Sequence, residues 1–120
     1  MRRAVWSMSA RQNKHLLDAQ AAAELAFEFV AGVDAAAYAS NPLVRSAVER
    51  QLTVLGEAAR RALSDAPELR EQAPDLVFAV ALRNRLVHGY DVIDDRIVFD
   101  TVVKDLPALA RQLGALLAEG

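Results

Sequence analysis

Apolar positions recur every three or four residues along most of the chain, the period of a helix buried on one side. Between about Arg11 and Ala31 the stripe is Leu16, Ala19, Ala23, Phe27 and Val30, and Gly32 closes the segment, as glycine commonly does just past a helix. Asp34 is placed to cap a short alanine-rich turn through Tyr38. Ser40-Asn41-Pro42 then marks a new start, where proline is tolerated because the first helical amides have no partner. The second long helix is expected from about Leu43 to Ser64, with Val44, Val48, Leu52 or Leu55, Ala59 and Ala62 inward. Gly56 stands in its middle, where glycine costs up to about 1 kcal/mol relative to alanine. Close packing of another helix at that point accounts for it. Glu57, next to it, reads either as a solvated carboxylate or as an acid set against an arginine of a neighbouring helix.

Residues 65–74 carry two prolines and several acids and read as a loop with one helical turn at most. A third helix starts near Pro74-Asp75 and is apolar on nearly every side from Leu76 to Leu82, which predicts burial both in the core and against something else, such as a second copy of the chain. Gly89 ends it. The acidic stretch from Tyr90 to Asp95 has no period and reads as a loop, with Asp94 or Asp95 as the next N-cap. The β-branched residues from Arg96 to Val103 suit a strand, but the wider spacing Val98, Val102, Leu106, Leu109, Leu113, Leu116 is helical. Pro107 predicts a kink, or a break and restart capped by Asp105. The expected fold is all-α, an antiparallel bundle of four to five helices. Residues 11–120 form one domain, and residues 1–10 are an N-terminal extension with no assigned structure, in which Met8 is an equally good start.

Composition agrees with this class. Of 120 residues 24 are alanine, against five glycines and four prolines, and the length suits one modest core. The absence of cysteine excludes disulfides and thiolate metal sites and fits a reducing cytoplasm. A net charge of −2 argues against coating nucleic acid through bulk electrostatics, though not against a local positive cluster. No run reaches the length of a membrane span.

The chemistry gathers in Arg83-Asn84-Arg85-Leu86-Val87-His88-Gly89-Tyr90, which holds one of the two histidines. On a helix, Leu76, Val80, Arg83 and Val87 share a face, so Arg83 occupies a core position and needs a partner or a cleft. Asn84 and His88, four apart, stack on an adjacent face. These groups suit phosphoryl transfer. A histidine near its ordinary pKa takes a proton from a ribose hydroxyl or gives one to a leaving oxygen, and an arginine fork holds phosphate oxygens. No carboxylate cluster or second histidine stands at metal-ligand spacing around the motif, which favours cleavage without a metal or other cofactor. His15 lies far off in the first helix. The bland alternative makes Arg83 and His88 a helix-end cap and dipole partner, and Tyr90 a core-edge residue.

The order Arg83, four residues, His88, one residue, Tyr90, with Asn84 after the arginine near a helix end, resembles the signature of the HEPN superfamily, and the fuller match is to its HepT-type toxin branch. Three blocks carry it: Val44-Arg45 through Leu55-Gly56-Glu57-Ala58-Ala59, then Leu82-Arg83-Asn84 through Tyr90-Asp91, then Val98-Phe99 through Val102-Val103-Lys104-Asp105-Leu106-Pro107. The resemblance implies a homodimer whose two motifs face each other across a cleft. It implies metal-independent RNA cleavage, with Arg83 and His88 as the functional pair and Asn84 in the polar position beside the arginine; Glu57, from the reading of the residues, is a candidate acid behind Arg83. It also implies a type VII-like toxin–antitoxin pair, in which a minimal nucleotidyltransferase antitoxin adenylylates Tyr90. Added phosphate at a phosphate-binding site would oppose RNA binding. Two other readings stand beside this one. The cleft could serve a non-catalytic subunit that binds nucleotide or the nucleotidyltransferase, or Arg83 could be only an ion-pair member with Glu57 in an interaction bundle.

Overall fold

The computed structural model describes residues 10–89 and 93–119. The extension expected over residues 1–10 falls outside these but for Ala10, and so do Tyr90, Asp91 and Val92. The described residues form helices and connections, without a strand. In order they are α1 (Ala10–Phe29), α2 (Ala35–Ser40), α3 (Pro42–Asp65), α4 (Leu69–Gln72), α5 (Asp75–His88), α6 (Asp95–Asp100), a π-helical turn (Thr101–Asp105) and α7 (Leu106–Glu119). The architecture is the expected antiparallel helical bundle.

The starts follow from local chemistry. Asp34 and Asn41 accept hydrogen bonds from the amides of Ala37 and Val44, and Asp94 from those of Arg96 and Ile97, so each satisfies a helix N-terminus. Gly32 turns the chain after α1 with φ of 74°, a conformation L side chains rarely adopt.

α3 is the central element, with α1 and α5 packed along it and α7 closing over α1. The α1–α3 seam is made of small residues: Ala19, Ala22, Ala23 and Ala26 on one side, Ala58, Ala59 and Ala62 on the other, all buried. Alanine lets two helix axes approach closely. That packing accounts for one departure from the expected pattern. Phe27 was expected on the inner stripe and is 45% exposed, whereas Ala26 is fully buried. Both lie three or four residues on from Ala23, and only the small one fits a close seam.

The segment from Asp95 to Glu119 is helical throughout, and of the expected stripe Val98, Val102, Leu106, Leu109 and Leu113 are buried while Leu116, at its end, is only partly so. The break expected at Pro107 is replaced by the π turn just before it, and Asp105 lies within that turn instead of capping a new helix. The Leu106 amide bonds back five residues to the Thr101 carbonyl. The inserted residue loosens the ladder where proline would have cut it, so the chain absorbs the missing donor without leaving the core. Thr101, buried in this turn, donates its hydroxyl to the Ile97 carbonyl at 2.8 Å. No helix of the described residues is long and apolar enough to cross a membrane.

Candidate active site

α5 carries the motif, and its two halves have different environments. On the side facing α3, a Cβ built on Gly56 would stand 2.1 Å from the Arg83 Cβ and 2.9 Å from the Ala79 carbonyl oxygen. Mid-helix glycine is therefore the condition for α5 to lie against α3 at this point. What it admits is the stem of Arg83, whose side chain is only 21% exposed.

The guanidinium that this packing delivers is held from two sides. Its Nη1 donates to Asn84 Oδ1 at 3.0 Å, and its Nη2 lies 3.4 Å from Glu57 Oε1. Its Nε is buried and makes no hydrogen bond to the described protein. Glu57 serves more than Arg83. Arg60 Nη2 donates to Glu57 Oε2 at 2.7 Å, and Arg61 Nε to the same oxygen at 3.3 Å. Three guanidiniums thus share one carboxylate. The Arg60 hydrogen bond, aided by those of Arg61 and the charge of Arg83 and opposed by partial burial, holds the Glu57 carboxyl down at about 2. Glu57 remains an anion at any physiological pH, one carboxylate set among three guanidiniums.

His88 is not part of that cluster. It is exposed in the last turn of α5 and makes no hydrogen bond or ion pair among the described residues. Gly89, in extended conformation, follows as the C-cap, its amide bonding the Arg85 carbonyl. The structure therefore brings Arg83, Asn84 and Glu57 together and leaves His88 apart, as the divergence of the two positions on one helix dictates. Tyr90, the expected modification site, lies outside the described residues.

Beside His88 the helix presents apolar surface. Phe78 is 58% exposed and Ile97, across from it on α6, is 60% exposed. Between them, with Leu82, Leu86 and Ile93, runs an open groove of about 460 Å³. The over-apolar run Leu76 to Leu82 is explained: Leu76 and Ala79 face the core, while Phe78 and Val77 face outward.

Three contributors were not singled out in the sequence. Arg60 and Arg61 stand three and four residues beyond Glu57, the spacing at which helical side chains meet, so that signal was present. His15, set aside as remote, in fact lines a groove shared with Glu57, Arg61 and Arg83, and its Nε2 lies 3.7 Å from Asp65. Nothing in its local sequence signals this, because the antiparallel pairing of α1 with α3 creates the proximity.

The chain is similar in sequence to known proteins. A family model described as Ribonuclease HepT-like matches residues 19–116. A protein of Methanocaldococcus jannaschii that carries a provisional RNase name is 33% identical over 109 residues, covering 88% of this chain and 97% of the relative. A Thermococcus cleftensis protein, provisionally named ribonuclease HepT, is 29% identical over 102 residues, 85% of this chain and 92% of its own. A third, provisionally named an RNase, from Caldanaerobacter subterraneus, is 28% identical over 94 residues, 78% and 83% of the two chains. No solved structure matches this chain.

Proposed function

Because the chain belongs to the HepT-like ribonuclease family, we propose that it is a metal-independent endoribonuclease, and that its Arg83 cluster is the phosphate-binding half of the catalytic site. The observation that carries this is the three-to-one ratio of guanidinium to carboxylate around Glu57. A structural ion pair needs one cation per anion, and Arg60 and Arg61 already satisfy Glu57. Arg83 would then be a third, partly buried cation with no electrostatic necessity, which is costly unless an anion from outside completes the cluster. A phosphodiester is such an anion. Its non-bridging oxygens gain charge in the transition state, and a fork fixed in advance by Asn84 and Glu57 stabilises them without reorganisation.

His88 supplies the proton transfer, taking a proton from the attacking ribose hydroxyl or giving one to the leaving oxygen. Since Arg83 and His88 point apart on one helix, a single copy makes a poor site. A homodimer formed across the Phe78–Ile97 surface would place the motifs of two copies beside each other, with the arginine of one copy working with the histidine of the other. Burying that surface also accounts for its apolar exposure.

The biological role that follows is a cytoplasmic toxin held in check by a nucleotidyltransferase antitoxin. Tyr90 stands two residues beyond His88, so an adenylyl group attached to its hydroxyl would bring phosphate and bulk to the site that must receive RNA. The deciding experiment compares purified wild-type protein with His88→Ala on an RNA substrate in the presence of chelator. Cleavage by the wild type alone supports the assignment, and equal cleavage by both sinks it.

A further inference from the structure

The proposed reaction uses Arg83 but not the groove in whose wall Arg83 stands. That groove lies between α1 and α3 and encloses about 510 Å³. Lys14 and His15 line it from α1, and Arg50, Glu57 and Arg61 from α3, with Arg83 contributed by α5. From Arg50 to Arg61 the α3 wall spans about 16 Å at the rise of an α-helix. That is room for a few nucleotides at the roughly 3.4 Å stacked spacing of a strand.

Its charge is opposite to that of the chain. The protein carries a net −2, yet four permanent cations face this groove, Lys14, Arg50, Arg61 and Arg83, against the carboxylates of Asp18 and Glu57. Both carboxylates are already engaged, Asp18 by Lys14 at 2.8 Å and Glu57 by its arginines. Arg50 is exposed and makes no ion pair or hydrogen bond among the described residues. Among the described residues its one ring is the His15 imidazole, largely covered and 3.7 Å from Asp65, so the groove offers mainly charge to a phosphate backbone.

We propose that this groove is a backbone track for single-stranded RNA, continuing from the scissile phosphate at Arg83 along α3, with Arg50 as its principal phosphate contact and Arg61 as the second. The proposal rests on the ribonuclease reading. It predicts binding that is strongly salt-dependent and indifferent to base sequence along the flanking nucleotides.

Arg50→Ala is the informative variant, because Arg50 is exposed and supports no other described side chain. Cleavage of a mixed-sequence 12-nucleotide RNA should show KM raised roughly five- to tenfold with kcat little changed. Binding of the same RNA, measured on a His88→Ala background, should lose about 0.7 from the slope of log affinity against log salt. Arg50→Lys should restore most of both, since a phosphate contact needs charge and not a fork. A dinucleoside phosphate, too short to enter the track, should be cleaved equally by wild type and Arg50→Ala. Unchanged KM and salt slope on the 12-mer, or an equal loss on the dinucleoside phosphate, overturns the track while leaving the nuclease reading in place. Failure of the wild type either to bind or to cleave the 12-mer overturns both.

Discussion

Arg83 and His88 lie five residues apart on α5 and have opposite surroundings. Arg83 emerges against α3 through the space that Gly56 leaves, and its guanidinium is fixed by Asn84 and Glu57. His88 ends the helix in solvent, with no hydrogen bond or ion pair among the described residues, beside the exposed apolar groove bounded by Phe78 and Ile97. The phosphate-facing half of the proposed site is complete within one chain and needs rigidity. The proton-transferring half is built only as far as a helix terminus. The difference teaches that two polar residues near each other on one helix need not be a pair in space, and that exposed apolar surface next to a group with no partner among the described residues marks where the rest of a proposed site is to come from.

The largest effect expected is chemical. His88→Ala should lower RNA cleavage by about 10²- to 10⁴-fold while leaving the melting temperature unchanged, because its side chain is exposed and makes no hydrogen bond or ion pair among the described residues. Arg83→Lys should also lose most activity, since a point charge does not reproduce the fork held by Asn84 and Glu57. A loss of stability in His88→Ala would break the contrast between the two halves.

Whether the halves meet in one copy or between two is decided by mixing. Arg83→Ala and His88→Ala chains, each inactive alone, should regain on the order of a quarter of wild-type activity when co-refolded, because a hybrid dimer holds one intact trans site. A site formed within one chain gives no recovery. Phe78→Asp should abolish that recovery and yield a monomer by sedimentation.

Smaller is the expected effect of Gly56→Ala. The added Cβ cannot share space with the Arg83 stem, so α5 must shift, costing about 1 to 3 kcal/mol by chemical denaturation, offset by about 1 kcal/mol of better helix propensity. Activity should fall more than stability, since it is Arg83 that moves.

The smallest effect is acid sensitivity. The Glu57 carboxyl is held at about 2, below its ordinary value near 4.5, chiefly by the Arg60 hydrogen bond. Its contribution is therefore fully present above about pH 4.5 and lost as pH falls through 2. Thermal melts of wild type and Glu57→Gln should differ by a few tenths to about 1 kcal/mol at neutral pH and converge near pH 2. A constant difference across that range would mean that Glu57 acts through packing and not through its charge.

Most of the secondary structure was legible before any coordinates. Caps at Asp34 and Asp94, the helix start at Ser40-Asn41-Pro42 and the stripe from Val98 to Leu113 are local instructions, carried by side chains that act on backbone within one or two turns. The Gly56–Glu57 pair was legible as well: a glycine in mid-helix signals a close neighbour, and an acid beside it meets whatever that neighbour carries. Less legible were positions where two residues compete for one place, as Ala26 and Phe27 do, and the π turn ahead of Pro107, because each outcome depends on how near another helix comes.

By itself, then, the sequence determined the helices, the inward stripe of each and the placing of Arg83, Asn84 and His88 in the last turns of α5, since all of these depend on spacing along a single helix. Only the tertiary structure decided that Arg60, Arg61 and Arg83 converge on Glu57, that Arg83 and His88 face different surroundings, and that His15 and Arg50 share a groove with the motif. Those are relations between helices, set by the approach of α1 and α5 to α3, and no periodicity along one strand of chain encodes the distance between two.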